Sequence, residues 1–112
     1  SPSAKLLELT ALIEGLGPLV TTQMVRAFVA IAAANEESAG VNLADFGNRL
    51  GLPSSTRTRV VQALSVKRGG NGKFPGLDLV LTAEDPHDAR ALIVFLTPKG
   101  RRFWAALKSA LS

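Results

Sequence analysis

Residues 43–64, LADFGNRLGLPSSTRTRVVQAL, contain two short helical patterns on either side of a tight turn. Leucine and phenylalanine recur at helical spacing in the first pattern, and Gly51 suits the left-handed conformation that closes a helix. The second helix begins at Pro53 or at a serine beside it, and the serine and threonine hydroxyl groups can accept from the free N–H groups of its first turn. Together the two segments predict a helix-turn-helix motif, which restricts the chain to a small set of folds.

The segments around this motif predict the rest of the fold. Apolar periodicity indicates helices on both sides of it, and two β-rich runs flank a turn-forming tip. The expected elements are an N-terminal helix at 4–16, a buried helix from residue 22, a polar loop at 35–40, an extended piece at 41–43, strands at 77–82 and 91–97, and a C-terminal helix at 97–112. A helix-turn-helix followed directly by a β-hairpin predicts a winged helix-turn-helix, mainly α with a small β-hairpin wing. We expect one domain over 1–112 with its winged-helix core at 22–96.

Positive charge is concentrated in the second half of the chain. The whole sequence has 13 Lys and Arg against 9 Asp and Glu, a net charge of +4. Residues 1–52 carry three basic and five acidic side chains, whereas residues 53–112 carry ten basic and four acidic ones. This distribution favours a polyanionic partner such as nucleic acid, although the charge alone fits a solvated basic surface equally well.

The composition argues against a catalytic or metal centre. The chain has no cysteine and a single histidine, His87, which lies between proline and aspartate in the predicted hairpin tip. A zinc site needs three or four suitably spaced ligands, and a hydrolytic site needs a histidine held beside a nucleophile. We therefore expect no enzyme activity, no metal and no cofactor. The apolar runs are shorter than the roughly 20 residues of a membrane span, so we expect no membrane partner. With no cysteine and no visible signal peptide, we expect a cytoplasmic location.

Asp88 and Arg90 are a candidate functional pair at the wing tip. They are two residues apart in a predicted strand, so their side chains lie on the same side and can pair. One interpretation is a surface ion pair of little consequence. The other is an arginine, oriented by the aspartate, that enters the narrow minor groove of DNA. These residues alone leave both interpretations open.

The ordered set of segments resembles the MarR-type (multiple antibiotic resistance regulator) winged-helix proteins. DPHDARALIVFLTPKGRRF (85–103) is similar to their wing and exit segment, which commonly contains D-P-x-D-x-R, an apolar strand and L-T-x-x-G. TTQMVRAFVAIAA (21–33) resembles the helix before the motif, VNLADFGNRLGL (41–52) its first helix, and SSTRTRVVQAL (54–64) its recognition helix. The resemblance covers roughly residues 20–104.

This resemblance implies which side chains contact DNA. Ser55, Thr56, Thr58 and Arg59 would face the major groove, and Arg90, held by Asp88, would reach the minor groove. The residues of the recognition helix support this independently, because three apolar residues on one face leave Ser55, Arg59 and Gln62 on the other. Arginine pairs well with guanine edges and glutamine with adenine edges. The full set of candidate DNA-contact residues is Ser54, Ser55, Thr56, Arg57, Thr58, Arg59, Gln62, Lys67, Arg68, Lys73, Asp88 and Arg90.

Two departures from the family pattern concern basic residues. Arg57 stands where the family usually has an apolar residue, so either it extends to a phosphate or the alignment is off by one residue. The glycine-rich loop 67–76, with Lys67, Arg68 and Lys73, is longer than usual. This loop either clamps the DNA backbone or is a simple insertion.

The expected function is sequence-specific binding of double-stranded DNA as a transcriptional regulator, most simply a repressor. Helix 4–16 and the face formed by Trp104, Leu107 and Leu111 are candidates for a homodimer contact; the alternative is that they pack within one subunit. A second possibility keeps the fold but makes the protein an architectural or replication-associated DNA-binding protein, or a protein-interaction module. The sequence does not identify a small-molecule effector.

Overall fold

The computed structural model of the chain describes residues 1–65 and 76–112, apart from the side chain of Ala89. Within these ranges the helix pair α3–α4 is followed by the hairpin β2–β3, which confirms the mainly α winged helix-turn-helix. The elements are α1 (Pro2–Glu14), α2 (Thr22–Glu37), β1 (Val41–Asn42), α3 (Leu43–Leu50), α4 (Ser54–Leu64), β2 (Val80–Asp85), β3 (Asp88–Leu96) and α5 (Pro98–Leu111).

Helix α2 forms the centre of the core. Phe28 and Ile31 are among its fully buried side chains, and the Thr21 hydroxyl caps the helix by accepting from the Met24 backbone N–H at 3.1 Å. The polar loop predicted at 35–40 is wrong in its first half, because α2 continues to Glu37. Polar residues suit an exposed helical turn as well as a loop, so composition did not distinguish the two structures.

Helices α3 and α4 meet at the expected turn. The Asn42 side chain caps α3 by accepting from two backbone N–H groups, and Gly51 ends it with a φ of 69°, the left-handed conformation that the sequence predicted. Helix α4 starts at Ser54 with Pro53 as its N-cap residue, and no side chain caps it. The predicted capping by a serine or threonine hydroxyl is therefore wrong, because proline, which has no such hydroxyl, stands at the capping position.

Three strands form one antiparallel sheet in the order β1–β3–β2. The strands predicted at 77–82 and 91–97 are displaced toward the hairpin tip, where Pro86 and His87 form the turn. Asp78 has a φ of 56°, a left-handed conformation that is incompatible with a strand, and β2 begins only at Val80. The hairpin consequently begins later and extends further than its apolar residues suggested.

The Leu-Thr-x-x-Gly segment joins the wing to α5. Thr97 caps α5 by accepting from the Gly100 backbone N–H at 2.9 Å, and its hydroxyl donates to the Asp78 carbonyl oxygen at 2.7 Å. Gly100 is buried directly against the backbone of Leu79, where a Cβ atom would collide with the carbonyl group. Thr97 therefore fixes the start of α5, and the glycine allows the helix to contact the segment before β2 so closely.

Helix α1 packs beside α5. Its Leu9, Leu12 and Ile13 side chains are partly buried against the core, whereas Leu6 and Leu7 are 57% and 71% exposed. The predicted apolar stripe is therefore buried only in its second half, where α1 meets the rest of the chain.

Polar contacts hold the end of α2 to α5. The Glu36 carboxylate forms an ion pair with Lys108 and accepts a hydrogen bond from Trp104 Nε1 at 2.9 Å. The hydrogen bond from Lys108, followed by that from Trp104, lowers the pKa of Glu36 from its ordinary value of 4.5. Trp104 also packs edge-on against Phe28, so the ion pair lies at the rim of the apolar core.

Candidate nucleic-acid interface

Helix α4 has one buried and one exposed face. Val60, Val61 and Leu64 are each at most 5% exposed and fix the helix to the core. Ser55, Arg59 and Gln62 are exposed on the opposite side, at the spacing that the sequence predicted. The exposed face therefore offers hydroxyl, guanidinium and amide groups, the donors and acceptors that base edges require.

A cleft separates α4 from the wing. Ser54 and Thr58 line it on the α4 side, and Asp88 and Arg90 line it on the β3 side. The start of α3, with Asn42, Leu43 and Ala44, completes the cleft, whose volume is about 540 Å³. The structure thus brings Arg90 and the first turns of α4 to one concave surface.

The wing tip is organised by two aspartates. Asp85 Oδ1 accepts from the His87 backbone N–H at 2.8 Å, a bond typical of aspartate in turns, and the sequence predicted a turn at this tip. Asp88 Oδ1 accepts from the Arg90 backbone N–H at 3.0 Å and lies 3.6 Å from Arg90 Nε. The Asp88–Arg90 pair is therefore present, and it leaves the Arg90 side chain 94% exposed.

Two of the predicted contact residues are turned partly inward. Thr56 and Arg57 are half-buried, and Arg57 donates hydrogen bonds to the carbonyl oxygens of Leu52 at 2.9 Å and Ala44 at 3.3 Å. Gly47 makes room for this arrangement, since a Cβ atom there would lie 2.5 Å from Arg57 Nε. Arg57 turns toward α3, because α3 and the turn after it present oxygen acceptors that its guanidinium can reach. The glycine within α3 was the available sequence signal for this contact.

One polar residue of the cleft was missed from the sequence. Asn42 lines it beside Ser54, although its capping bonds to the Ala44 and Asp45 backbone N–H groups explain its side chain by themselves. Three other predicted contacts, Lys67, Arg68 and Lys73, lie outside the described residues.

His87 is exposed at the hairpin turn. No group of three or more His, Cys, Asp or Glu side chains in 1–65 and 76–112 is placed to hold a metal ion. None of the helices in those ranges is both long and apolar enough to cross a membrane.

The chain is similar to solved transcriptional regulators. No family model and no curated protein matches it. The PcaV transcriptional regulator from Streptomyces coelicolor, solved with its natural ligand, is 25% identical over 82% of this chain, with a TM-score of 0.58. The YusO protein from Bacillus subtilis is 18% identical over 96% of the chain, with a TM-score of 0.65. MarR is 16% identical over 92% of the chain, with a TM-score of 0.59.

These alignments cover only part of each neighbour. The chain spans 55% of the length of PcaV, 65% of YusO and 61% of MarR. In each case the aligned region includes most of the present chain. The chain therefore has the winged-helix fold of the MarR-type transcriptional regulators, as the resemblance of its sequence implied.

Proposed function

We propose that this chain binds double-stranded DNA in a sequence-specific manner and acts as a transcriptional regulator, in the simplest case a repressor. Helix α4 enters the major groove and presents Ser55, Arg59 and Gln62 to the base edges. Arg59 suits the O6 and N7 acceptors of guanine, and Gln62 suits the N6 and N7 groups of adenine. Ser54 and Thr58, at the edge of the same helix, lie nearest the wing.

In this proposal the wing supplies the second contact. Arg90 is almost fully exposed, and Asp88 restrains it from one side. A narrow minor groove concentrates negative potential and attracts an inserted arginine, so Arg90 would enter the minor groove next to the major groove that holds α4. The net positive charge of residues 53–112 adds a long-range attraction to the polyanionic duplex.

A single observation carries the proposal. Ser54 and Thr58 of α4 and Arg90 of the wing line the same cleft, so one duplex can touch both elements at once. Two separate basic surfaces on opposite sides of the molecule would not support this mode of binding. The structural similarity to regulators such as PcaV is consistent with the proposal.

We further propose that the protein acts as a homodimer. Of the predicted contact residues, Leu107 is buried within the chain, whereas Leu6 and Leu7 of α1 and Leu111 of α5 are exposed. The two helices pack together, and their exposed leucines suit a contact with a second copy. Two-fold symmetry would place the recognition helices in successive major grooves, about 34–36 Å apart. The preferred site would then be palindromic.

The test is a selection of random duplexes for binding to the purified protein. A palindromic consensus supports a sequence-specific dimeric regulator, and repression of a reporter whose promoter contains that consensus supports the repressor role. Duplex binding without any enriched sequence would favour the architectural role instead. Absence of duplex binding at about 50 mM salt, where phosphate contacts are strong, would exclude DNA as the partner.

A further inference from the structure

We propose that the cleft between α4 and the wing holds one phosphate group of the DNA backbone, and that Arg57 provides the positive charge of this phosphate site. This inference rests on the proposed function. It assigns Arg57 a task that differs from base recognition, and it explains why a charged residue stands in a half-buried position of α4.

The guanidinium of Arg57 is hydrogen-bonded on the α3 side of the cleft. Nη2 donates to the Leu52 carbonyl oxygen at 2.9 Å and to Asn48 Oδ1 at 3.5 Å, and Nη1 donates to the Ala44 carbonyl oxygen at 3.3 Å. These acceptors are neutral, so they orient the guanidinium without neutralising its positive charge. A guanidinium has five N–H donors, and these bonds leave one N–H of Nη1 for another acceptor.

The positive charge of Arg57 has no carboxylate partner among the described residues. The ion pairs formed within those ranges are Arg90–Asp88 and Lys108–Glu36, and Arg57 takes part in neither. Its Nε is buried without a hydrogen-bond partner. A partly desolvated cation with neutral neighbours attracts an anion more strongly than a fully hydrated one, because less water has to be displaced.

The neighbouring groups suit a phosphate. The Ser54 hydroxyl lies in the same cleft, in the first turn of a helix that no side chain caps, and can donate to a phosphate oxygen. The Thr58 hydroxyl is already used, since it donates to the Ser54 carbonyl oxygen at 3.1 Å. The one carboxylate in the cleft, that of Asp88, is paired with Arg90, so two guanidinium groups face a single negative side chain.

The geometry of the duplex identifies this phosphate. One sugar-phosphate strand separates the major groove from the adjacent minor groove. If α4 occupies the major groove and Arg90 the minor groove, the sugar-phosphate strand between the two grooves must cross the protein between α4 and the wing. The cleft lies at this position. Contacts of this kind set the position of a protein on DNA without reading its sequence.

The test compares salt dependence of duplex binding for the wild-type protein and Arg57 variants between about 50 and 200 mM salt, by fluorescence anisotropy. Each phosphate contact contributes about 0.9 to the slope of log K against log salt. Arg57→Met should weaken binding and reduce the slope by about one such contact, whereas Arg57→Lys, which keeps the charge, should retain most of the slope. Arg102→Met, an exposed cation on α5, should leave the slope unchanged.

The possible outcomes separate this inference from the proposed function. A wild-type protein without duplex binding contradicts the proposed function itself. A steep wild-type slope that is unchanged in Arg57→Met overturns the phosphate site, even if affinity falls, because Arg57 would then act only by packing α4 against α3. Binding of inorganic phosphate alone, with the duplex slope unchanged, would also overturn a DNA phosphate as the ligand. If urea unfolding shows that Arg57→Met is not folded, Arg57→Gln, which can still donate to a carbonyl oxygen, replaces it.

Discussion

Asp88 holds Arg90 at the wing tip by accepting its backbone N–H at 3.0 Å while lying 3.6 Å from its Nε. The pair is exposed, with side-chain exposures of 94% for Arg90 and 51% for Asp88. Exposed ion pairs contribute about 0–1 kcal/mol to stability, so folding alone gives little reason for this arrangement. The pair leaves the Arg90 guanidinium exposed to solvent, beside the cleft that α4 lines.

Arg90→Ala should weaken duplex binding about tenfold and leave stability nearly unchanged, because the side chain contacts solvent and one neighbouring carboxylate. Anisotropy titration measures the first effect and urea unfolding the second. Arg102→Ala removes an equal charge from α5 and serves as the control. Unchanged affinity in Arg90→Ala would remove the wing from the binding mechanism.

Arg59→Ala should relax the preference for particular bases, since its guanidinium lies on the exposed face of α4. A well-formed contact with a guanine edge is worth about 1–3 kcal/mol of discrimination. Repeating the random-duplex selection with the variant measures this effect. Lys5→Ala, which removes an exposed charge from α1, should yield the wild-type consensus. The same consensus from Arg59→Ala would mean that Arg59 does not contact a base.

Gly100→Ala should destabilise the protein by about 1–3 kcal/mol or more, because the added methyl group collides with the backbone of Leu79. Backbone atoms cannot move aside as a flexible side chain can. Gly15→Ala is the matched control: Gly15 has a helical φ of −63°, and its new methyl group would come no closer than 3.4 Å to another atom. Urea unfolding should show a neutral or stabilising effect at position 15, and equal stability of the two variants would contradict the close contact at Gly100.

Glu36→Gln should lower the melting temperature at neutral pH and have little effect in acid. The pKa of Glu36 is lowered in the folded protein by the hydrogen bonds from Lys108 and Trp104, so the carboxylate contributes stability above pH 4.5. This contribution is lost as the pH falls through the lowered folded-state pKa. Melting curves at pH 7 and in acid measure the difference between variant and wild type. A difference that persists at low pH would mean that the charge of Glu36 is not its cause.

Replacing both Leu6 and Leu7 by glutamate should convert a dimer into monomers while leaving the fold intact. Both side chains are largely exposed in the single chain, so the charges cost little there but would be unfavourable in an apolar contact between two copies. Sedimentation measures the oligomeric state. Leu81→Glu changes an exposed leucine on β2 and should not alter it. Wild-type protein that sediments as a monomer would contradict the proposed dimer.

The local patterns in the sequence predicted the arrangement of elements because each depends on neighbouring residues. Gly51 closes α3 in the expected left-handed conformation, and Thr97 caps α5. Val60 and Leu64 are buried at helical spacing while Arg59 and Gln62 are exposed, so the two faces of α4 follow from residue type alone.

Errors occurred where composition allowed two structures. Asn35 suited a loop, yet its Nδ2 donates to the Ile31 carbonyl oxygen at 2.8 Å within α2 and to the Val94 carbonyl oxygen of β3 at 3.4 Å. Asp78 stands in an apolar run that predicted a strand, but its left-handed backbone and the bond from Thr97 to its carbonyl oxygen belong to the junction with α5. Contacts between distant segments decided both cases.

The sequence by itself determined that this chain forms a helix-turn-helix followed by a wing, because helix periodicity, caps and turn residues act over a few positions. Only the tertiary structure decided that Arg57 turns toward α3 and that Arg90 shares a cleft with Ser54 and Thr58. These relationships depend on how far apart two elements lie after packing, and on the space left by residues such as Gly47. Local patterns carry no information about such distances.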